Sequence, residues 1–365
     1  MSGIYLDHNA TAPIRPEAAA AMADALTQPG NASSVHASGR RARRVIEDTR
    51  EALAVRLNAP AAGVIFTSGA SEANALALTQ VRPGRVIASA IEHPSVLAWA
   101  DARIPVDGDG VIDLDALDRL LSETADGPVL VALMLVNNET GIIQPVAEAA
   151  RIAHAHGAGL HCDAVQALSR MDIDIMALGA DSLAVSAHKI GGPQGTGALI
   201  LADSERVLRP LIPGGGQERS RRGGTENLPG IAGFAAALNA SCDNAQIEAL
   251  RDALEQRARD VCPALTVLGG GTRRVGNTAC LAVPGMRAET LVMALDLAGI
   301  MVSAGAACSS GKVGPSHVLE AMGAGSLAGS AIRVSLGWNS GLDDVDGFIA
   351  AFSRLAGSRR AQHAA

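Results

Sequence analysis

The chain holds only two lysines, Lys189 and Lys312, among 30 Lys and Arg residues, so 28 basic positions are arginine. Guanidinium replaces ammonium well as a solvated surface charge, but it stays protonated and forms no imine. A lysine kept in so arginine-biased a chain marks a place where a neutral amine is needed, or is a surface survivor. Lys189 follows the apolar stretch SLAVS (182–186) and precedes the glycine-rich run GGPQGTG (191–197). Partial desolvation at a strand end depresses an amine's pKa and supplies the neutral form that attacks a carbonyl. Asp163 closes another apolar run, GLHCD (159–163). A buried carboxylate there needs a cationic partner, either one of the many arginines or a ligand cation.

The segment SGAS (68–71) lies between a strand pattern and a helix pattern. Its glycine permits close approach, and helix N-terminal N–H groups suit a phosphate; taken alone it is equally an ordinary helix cap. Neither this segment nor SGK (310–312) has the spacing of a nucleoside-triphosphate P-loop. A carbonyl partner for Lys189, a charge partner for Asp163 and an anion partner for Ser71 together describe pyridoxal 5'-phosphate, whose pyridine nitrogen pairs with a carboxylate when it works as an electron sink.

Five cysteines, at 162, 242, 262, 280 and 308, never fall in C-x-x-C spacing, which indicates neither a disulfide framework nor a zinc site. Cys162 and Cys280 sit in apolar strand patterns as small core residues, and Cys242 and Cys262 lie in or beside helices. Cys308 differs, because its setting SAGAACSSGK (303–312) has no bulk to bury it. An accessible thiol near Lys312 has thiolate character and can act as a nucleophile; the competing reading is a structural turn cysteine.

These residues need a frame. A length of 365 residues suits about two domains, and 48% hydrophobic with 18% charged residues describes a compact protein. The formal charge of −7 and an aromatic content of 2% argue against a nucleic-acid partner. Arginine clusters at 40–44 and 219–222 read as solvated faces, with a small opening for an anionic partner. The longest apolar run, 129–136, is too short to span a bilayer, and the first residues resemble no signal peptide, so no membrane association and a cytoplasmic location are expected.

From about 63 to 202, short apolar runs alternate with helix patterns, as in βαβ units that feed a mostly parallel sheet. Strands are expected at 63–67, 85–89, 129–136, 159–163, 182–186 and 197–201, with helices opening near Ser71, Pro94, Leu114 and Pro145. Residues 213–224 read as an exposed loop, 231–261 as helices leading out of the sheet domain, and the rest as a smaller α/β domain with a strand at 278–283. The expected division is 15–250 for a large cofactor-binding domain, and 1–14 with 251–365 for a small domain carrying the cysteine loop. Ligands on open α/β sheets bind beyond the carboxyl ends of the strands, which is where these polar residues fall.

Set against known families, the chain resembles the cysteine desulfurases of the class V aminotransferase group, which use pyridoxal phosphate. The resemblance rests on YLDHNAT (5–11), GNASS (30–34), FTSGASE (66–72), EH (92–93), VNNE (136–139), HCDAVQ (161–166), SAHK (186–189), RGGT (222–225), Cys308 with PSHVL (315–319), and IRVSL (332–336). It implies the fold of type I pyridoxal-phosphate transferases. Lys189 would be the Schiff-base lysine and proton carrier at the substrate α-carbon, Asp163 would pair with the pyridine nitrogen, Gln166 would bond the ring hydroxyl, and His93 would stack on the ring and assist proton transfer. Ala70, Ser71, Ser186 and His188 would hold the phosphate, with Thr225 reaching across from a second subunit of a homodimer. Asn138 would serve both cofactor and substrate, joining Asn31 and Arg333 around the substrate carboxylate. Cys308 would attack the sulfur of L-cysteine, L-alanine would leave, and a persulfide on Cys308 would await an acceptor such as an iron–sulfur scaffold or a thiolation relay. No metal is implied. The family commonly has serines at Ala304 and Ala306 and a basic residue at Gln194. The alternatives are a selenocysteine lyase or another class V aminotransferase or lyase, which need not use Cys308, and a desulfurase-like assembly partner with little turnover.

Overall fold

The structure is a computed structural model that describes residues 3–81, 84–124, 127–305 and 316–363. After a short first strand, β1 (Ile4–Tyr5), the chain builds a seven-stranded sheet from β2 (Val64–Thr67), β3 (Arg85–Ser89), β4 (Ala102–Ile104), β5 (Val129–Ala132), β6 (Gly159–Asp163), β7 (Ser182–Ser186) and β8 (Gly197–Leu201). Their order is β2-β8-β7-β6-β5-β3-β4. The pairs β3–β4, β3–β5, β5–β6 and β6–β7 are parallel, and β8 runs antiparallel to both β2 and β7. Every residue of β2, β7 and β8 is buried. That explains why these strands read as continuous apolar runs rather than alternating ones: helices cover both faces of the sheet.

The remaining strands are β9 (Thr266–Val267), β10 (Thr278–Ala282), β11 (Ile300–Met301), β12 (Ser303–Ala304) and β13 (Ala331–Ser335). Four of them form an antiparallel sheet of order β12-β13-β10-β9, while β1 pairs in parallel with β11. Leu6 thereby joins a second core with Leu254, Leu281, Leu291, Leu295, Ile332 and Phe348, all 0% exposed. The helix Asn244–Val261 packs Ile247, Leu250, Leu254 and Ala258 into that same core, and a boundary at residue 250 cuts through it.

Two sequence expectations change. The run 129–136 is not one strand, since β5 stops at Ala132. Beyond it Leu133 and Leu135 still donate to the carbonyls of His161 and Asp163, at 3.0 and 2.9 Å, while Asn137 folds the chain back: its Oδ1 accepts from the amides of Glu139 (2.9 Å) and Thr140 (3.0 Å). The loop 213–224 is not wholly exposed either. Arg50 lies inside the helix Ala37–Leu57, and burial there demands a carboxylate, which Glu218 supplies through two bonds of 2.9 Å while also accepting from the Phe66 amide. The side chains of the pair are 4% and 2% exposed. Glu218→Ala leaves the buried guanidinium the half-buried Glu47 carboxylate and the Val64 carbonyl and is expected to cost about 3 kcal/mol in urea unfolding, with most of it restored by the apolar pair Arg50→Met and Glu218→Leu.

Candidate active site

Beyond the carboxyl ends of the parallel strands lies a cleft of about 690 Å³. Its lining includes Ala70, Ser71, His93, Asn138, Asp163, Gln166, Ser186, His188, Lys189 and Arg333, which the sequence scatters over more than 260 positions. The sheet topology brings the first nine together, and Arg333 arrives from the small sheet on β13.

Lys189 follows β7 on the 3₁₀ turn Ala187–Lys189, which is pinned where the Ala187 amide donates to the Thr196 carbonyl at 3.0 Å. Its Nζ donates to the carbonyls of Asn9 (2.6 Å) and Ala10 (2.8 Å). The Asn9 carbonyl also accepts from Gln166 Nε2 at 3.0 Å, so the N-terminal segment touches the lysine and the glutamine at once. Gln166 Oε1 in turn accepts from Arg170.

Asp163, 7% exposed at the end of β6, accepts from Asn74 Nδ2 at 2.8 Å and from the Val165 amide at 3.1 Å. Among the described residues it pairs with no arginine, and it lines the cleft. His93 caps the helix Pro94–Leu97, its Nδ1 accepting from the Ser95 amide at 3.1 Å with Ser95 Oγ 2.8 Å away. Burial lowers its pKa against the opposing pull of Asp163, and the charges of Lys189 and His317 add to the lowering.

At the other end of the cleft the helix Ala70–Leu78 begins. Gly69 has φ +154 and ψ 176, a backbone other residues rarely adopt, and a Cβ there would meet nothing within 4 Å. The first amides of this helix have no intrahelical acceptor and, with Ser71, Ser186 and His188 on the same cleft, would suit an anion. His188 is driven down to about 4 by burial and then by the charge of Lys189, so it stands neutral, its Nδ1 3.2 Å from Thr11 Oγ1. Glu72 bonds the Ser68 amide at 2.8 Å and pairs with Arg222 at 2.9 Å, which ties the loop carrying Thr225 to the start of this helix. A lysine at a strand end, a buried carboxylate that pairs with no arginine among the described residues and an amide-rich helix start therefore fit pyridoxal phosphate.

Arg333 is 2% exposed, donates from Nη2 to Asp7 Oδ1 at 2.6 Å and from Nη1 to the Asn138 carbonyl at 3.2 Å, and its buried Nε has no hydrogen-bond partner among the described residues. Close by, Glu139 is 2% exposed and accepts from Ser316 Oγ at 2.5 Å. Burial raises its pKa to about 7, against the lowering effects of Ser316 and Arg333. Between its ordinary value and that one the folded chain keeps a proton that the unfolded chain releases, so this residue lowers stability as pH rises through the window. Glu139→Gln removes the effect, and its stability relative to the parent is expected to grow by about 3 kcal/mol between pH 4.5 and 8 in urea titrations.

Three sequence-selected residues stand apart. Asn31 is exposed and off the cleft, with Oδ1 accepting from the Ser33 amide at 2.8 Å. Thr225 lines an adjoining cavity with Thr67, Ser68 and Gly195. Cys308 lies outside the described residues, as do Ala306 and Lys312. Sequence reasoning passed over Asn9, Thr11, Asn74 and Ser95, all on the cleft. Asn9 and Thr11 lie within a motif that had been singled out, whereas Asn74 and Ser95 follow such motifs by two residues and carry no signal of their own.

A model of the class V aminotransferase family matches residues 4–348. The chain is 43% identical to a cysteine desulfurase of Cereibacter sphaeroides over 92% of this chain and 91% of that one. It is 38% identical to an IscS-like cysteine desulfurase of Mycobacterium tuberculosis, covering 99% and 98% of the two chains. The structure superposes on a NifS-like protein from Rickettsia africae with a TM-score of 0.89 at 36% identity, covering 97% of this chain and 99% of that one. It also superposes on SspA in complex with cysteine, with a TM-score of 0.80 at 28% identity over 92% and 99%. The fold, the cleft and these matches along nearly the whole chain agree, and the protein belongs to the cysteine desulfurases of the pyridoxal-phosphate-dependent class V aminotransferase family.

Proposed function

We propose that the cleft takes free L-cysteine, releases L-alanine and passes the sulfur to Cys308 for collection by an acceptor protein. The observation that carries this reading is the convergence of Lys189, Asp163 and Arg333, three residues of different chemistry from both domains, on one cleft. Pyridoxal phosphate, when bound, withdraws electrons from the substrate α-carbon. Lys189 would hold and move the α-proton, and Asp163 would pair with the ring nitrogen. Arg333 offers its guanidinium to the substrate carboxylate, with the Asp7 carboxylate and the Asn138 carbonyl fixing its plane. His93, whose pKa burial lowers, lines the cleft beside Ser95.

In the sulfur step the substrate Cβ–Sγ bond breaks, the carbon keeps the electron pair and takes a proton, and an S–S bond forms at Cys308. Asn31 and Thr225, both off their own cleft, would complete the cleft of a second copy, which supports a homodimer. An iron–sulfur scaffold or a thiolation relay fits as acceptor, and a reducing cytoplasmic location suits a cysteine that must be a free thiol before each turnover. The test is Cys308→Ser: with L-cysteine and a reductant, sulfide release is expected to fall to background while the cofactor's visible absorbance persists. Undiminished sulfide release by that variant would overturn the role of Cys308.

A further inference from the structure

Behind Asp163 and His93 runs a line of buried polar side chains whose hydrogen-bond directions are all dictated by one end. An ionised carboxylate only accepts, so Asn74 must turn its amide nitrogen to Asp163 Oδ2, 2.8 Å away. That leaves Asn74 Oδ1 facing His161 Nε2 at 2.9 Å, and Nε2 must carry the ring proton. His161 Nδ1 is then bare and accepts from Ser182 Oγ at 2.8 Å. The second amide hydrogen of Asn74 reaches Ser95 Oγ at 3.2 Å, and Ser95 passes its own hydrogen to His93 Nδ1 at 2.8 Å. The Ser95 amide donates to that same nitrogen at 3.1 Å, so neutral His93 keeps its proton on Nε2. Asn74 and His161 are both 0% exposed. Burial drives His161 down to about 3, which keeps the ring neutral through the working range.

We propose that Asn74 and His161 are positioning residues that fix the polarity of the cleft: they hold Asp163 as a carboxylate aimed at the cofactor's ring nitrogen, and they set His93 as an Nε2–H donor. This rests on the function proposed above. It also assigns proton uptake from the substrate to Lys189, because His93 in that tautomer has no free nitrogen lone pair for the cleft. Other titratable groups beside Asp163 are Glu92, which burial and then Asp163 push well above the carboxylate range, the equally buried Cys162 thiol, and Lys189 with His317 on the side of His93.

Two measurements on the cofactor-loaded enzyme test the assignment. In ¹⁵N spectra of histidine-labelled protein, with His161→Gln giving the assignment, His161 is expected to show a protonated Nε2 and a bare Nδ1, unchanged from pH 9 to 5. In Asn74→Ala, Asp163 loses a charge-assisted bond and competes more strongly for the ring proton, so the nitrogen of Lys189 that meets the cofactor becomes more basic. The pH midpoint of the visible absorbance is therefore expected to rise by roughly one unit. His161→Leu should move it the same way, and His161→Gln, which keeps an N–H for Asn74 Oδ1, should stay near the parent. A proton on His161 Nδ1, or an unchanged midpoint in folded, cofactor-loaded Asn74→Ala, would overturn the proposal. Should Asn74→Ala fail to fold, the tautomer of the parent protein decides alone. Failure of the parent to release sulfide would instead remove the substrate assignment and leave the tautomer result standing.

Discussion

Lys189→Ala is expected to abolish turnover of L-cysteine, with kcat falling by about 10⁴-fold or more, the upper range for removing a positioned proton-transfer group. The fold should survive. Lys189 is half-buried, and its Nζ donates to the carbonyls of Asn9 and Ala10. The Asn9 carbonyl keeps Gln166 Nε2 as a donor when the lysine is gone, and Ala10 is exposed enough for water to replace it. Lys189→Arg should be as inactive as the alanine variant, because guanidinium stays protonated and cannot take the α-proton. Single-turnover assays together with the visible spectrum check both, and an arginine variant with a tenth of parental activity would contradict the role.

Asp163→Asn is expected to lower kcat by about 10²–10³-fold, the scale of one preorganised electrostatic contact in a water-poor site. The substitution is nearly isosteric and retains an oxygen for Asn74 Nδ2, so the geometry around Oδ2 is kept. What is lost is the charge, and an amide cannot share the ring nitrogen's proton. KM for L-cysteine should change little, since Arg333 and Asn138 lie on different elements. A large rise in KM with kcat preserved would mean that Asp163 binds substrate rather than supporting the cofactor. Steady-state kinetics with CD as a folding control separates the two outcomes.

The parts of the site that were legible in the sequence share one property: a short apolar strand ends in a polar residue. Lys189 after SLAVS and Asp163 after GLHCD could be placed because an open α/β sheet sends all such ends to one side, and β6 and β7 do so here. Family motifs extended this reach to Arg333, whose arrival from the second sheet no local pattern reveals. The supports were not legible. Asn74 meets Asp163 across 89 residues, and nothing in EANAL distinguishes a helical asparagine that caps solvent from one that orients a carboxylate. The same holds for Glu218, read as part of an exposed loop and found buried against Arg50, 168 residues away. Long-range pairs between polar side chains leave no period in the sequence, whereas apolar strands and amphipathic helices do. The helix Asn244–Val261 is continuous, and only its packing shows which core it serves.

The account stands most directly on the products. Purified, cofactor-loaded protein incubated with L-cysteine and a thiol reductant is expected to release alanine and sulfide in equal amounts. Sulfide accompanied by pyruvate and ammonia instead of alanine, or no product from protein that retains its cofactor, would contradict it.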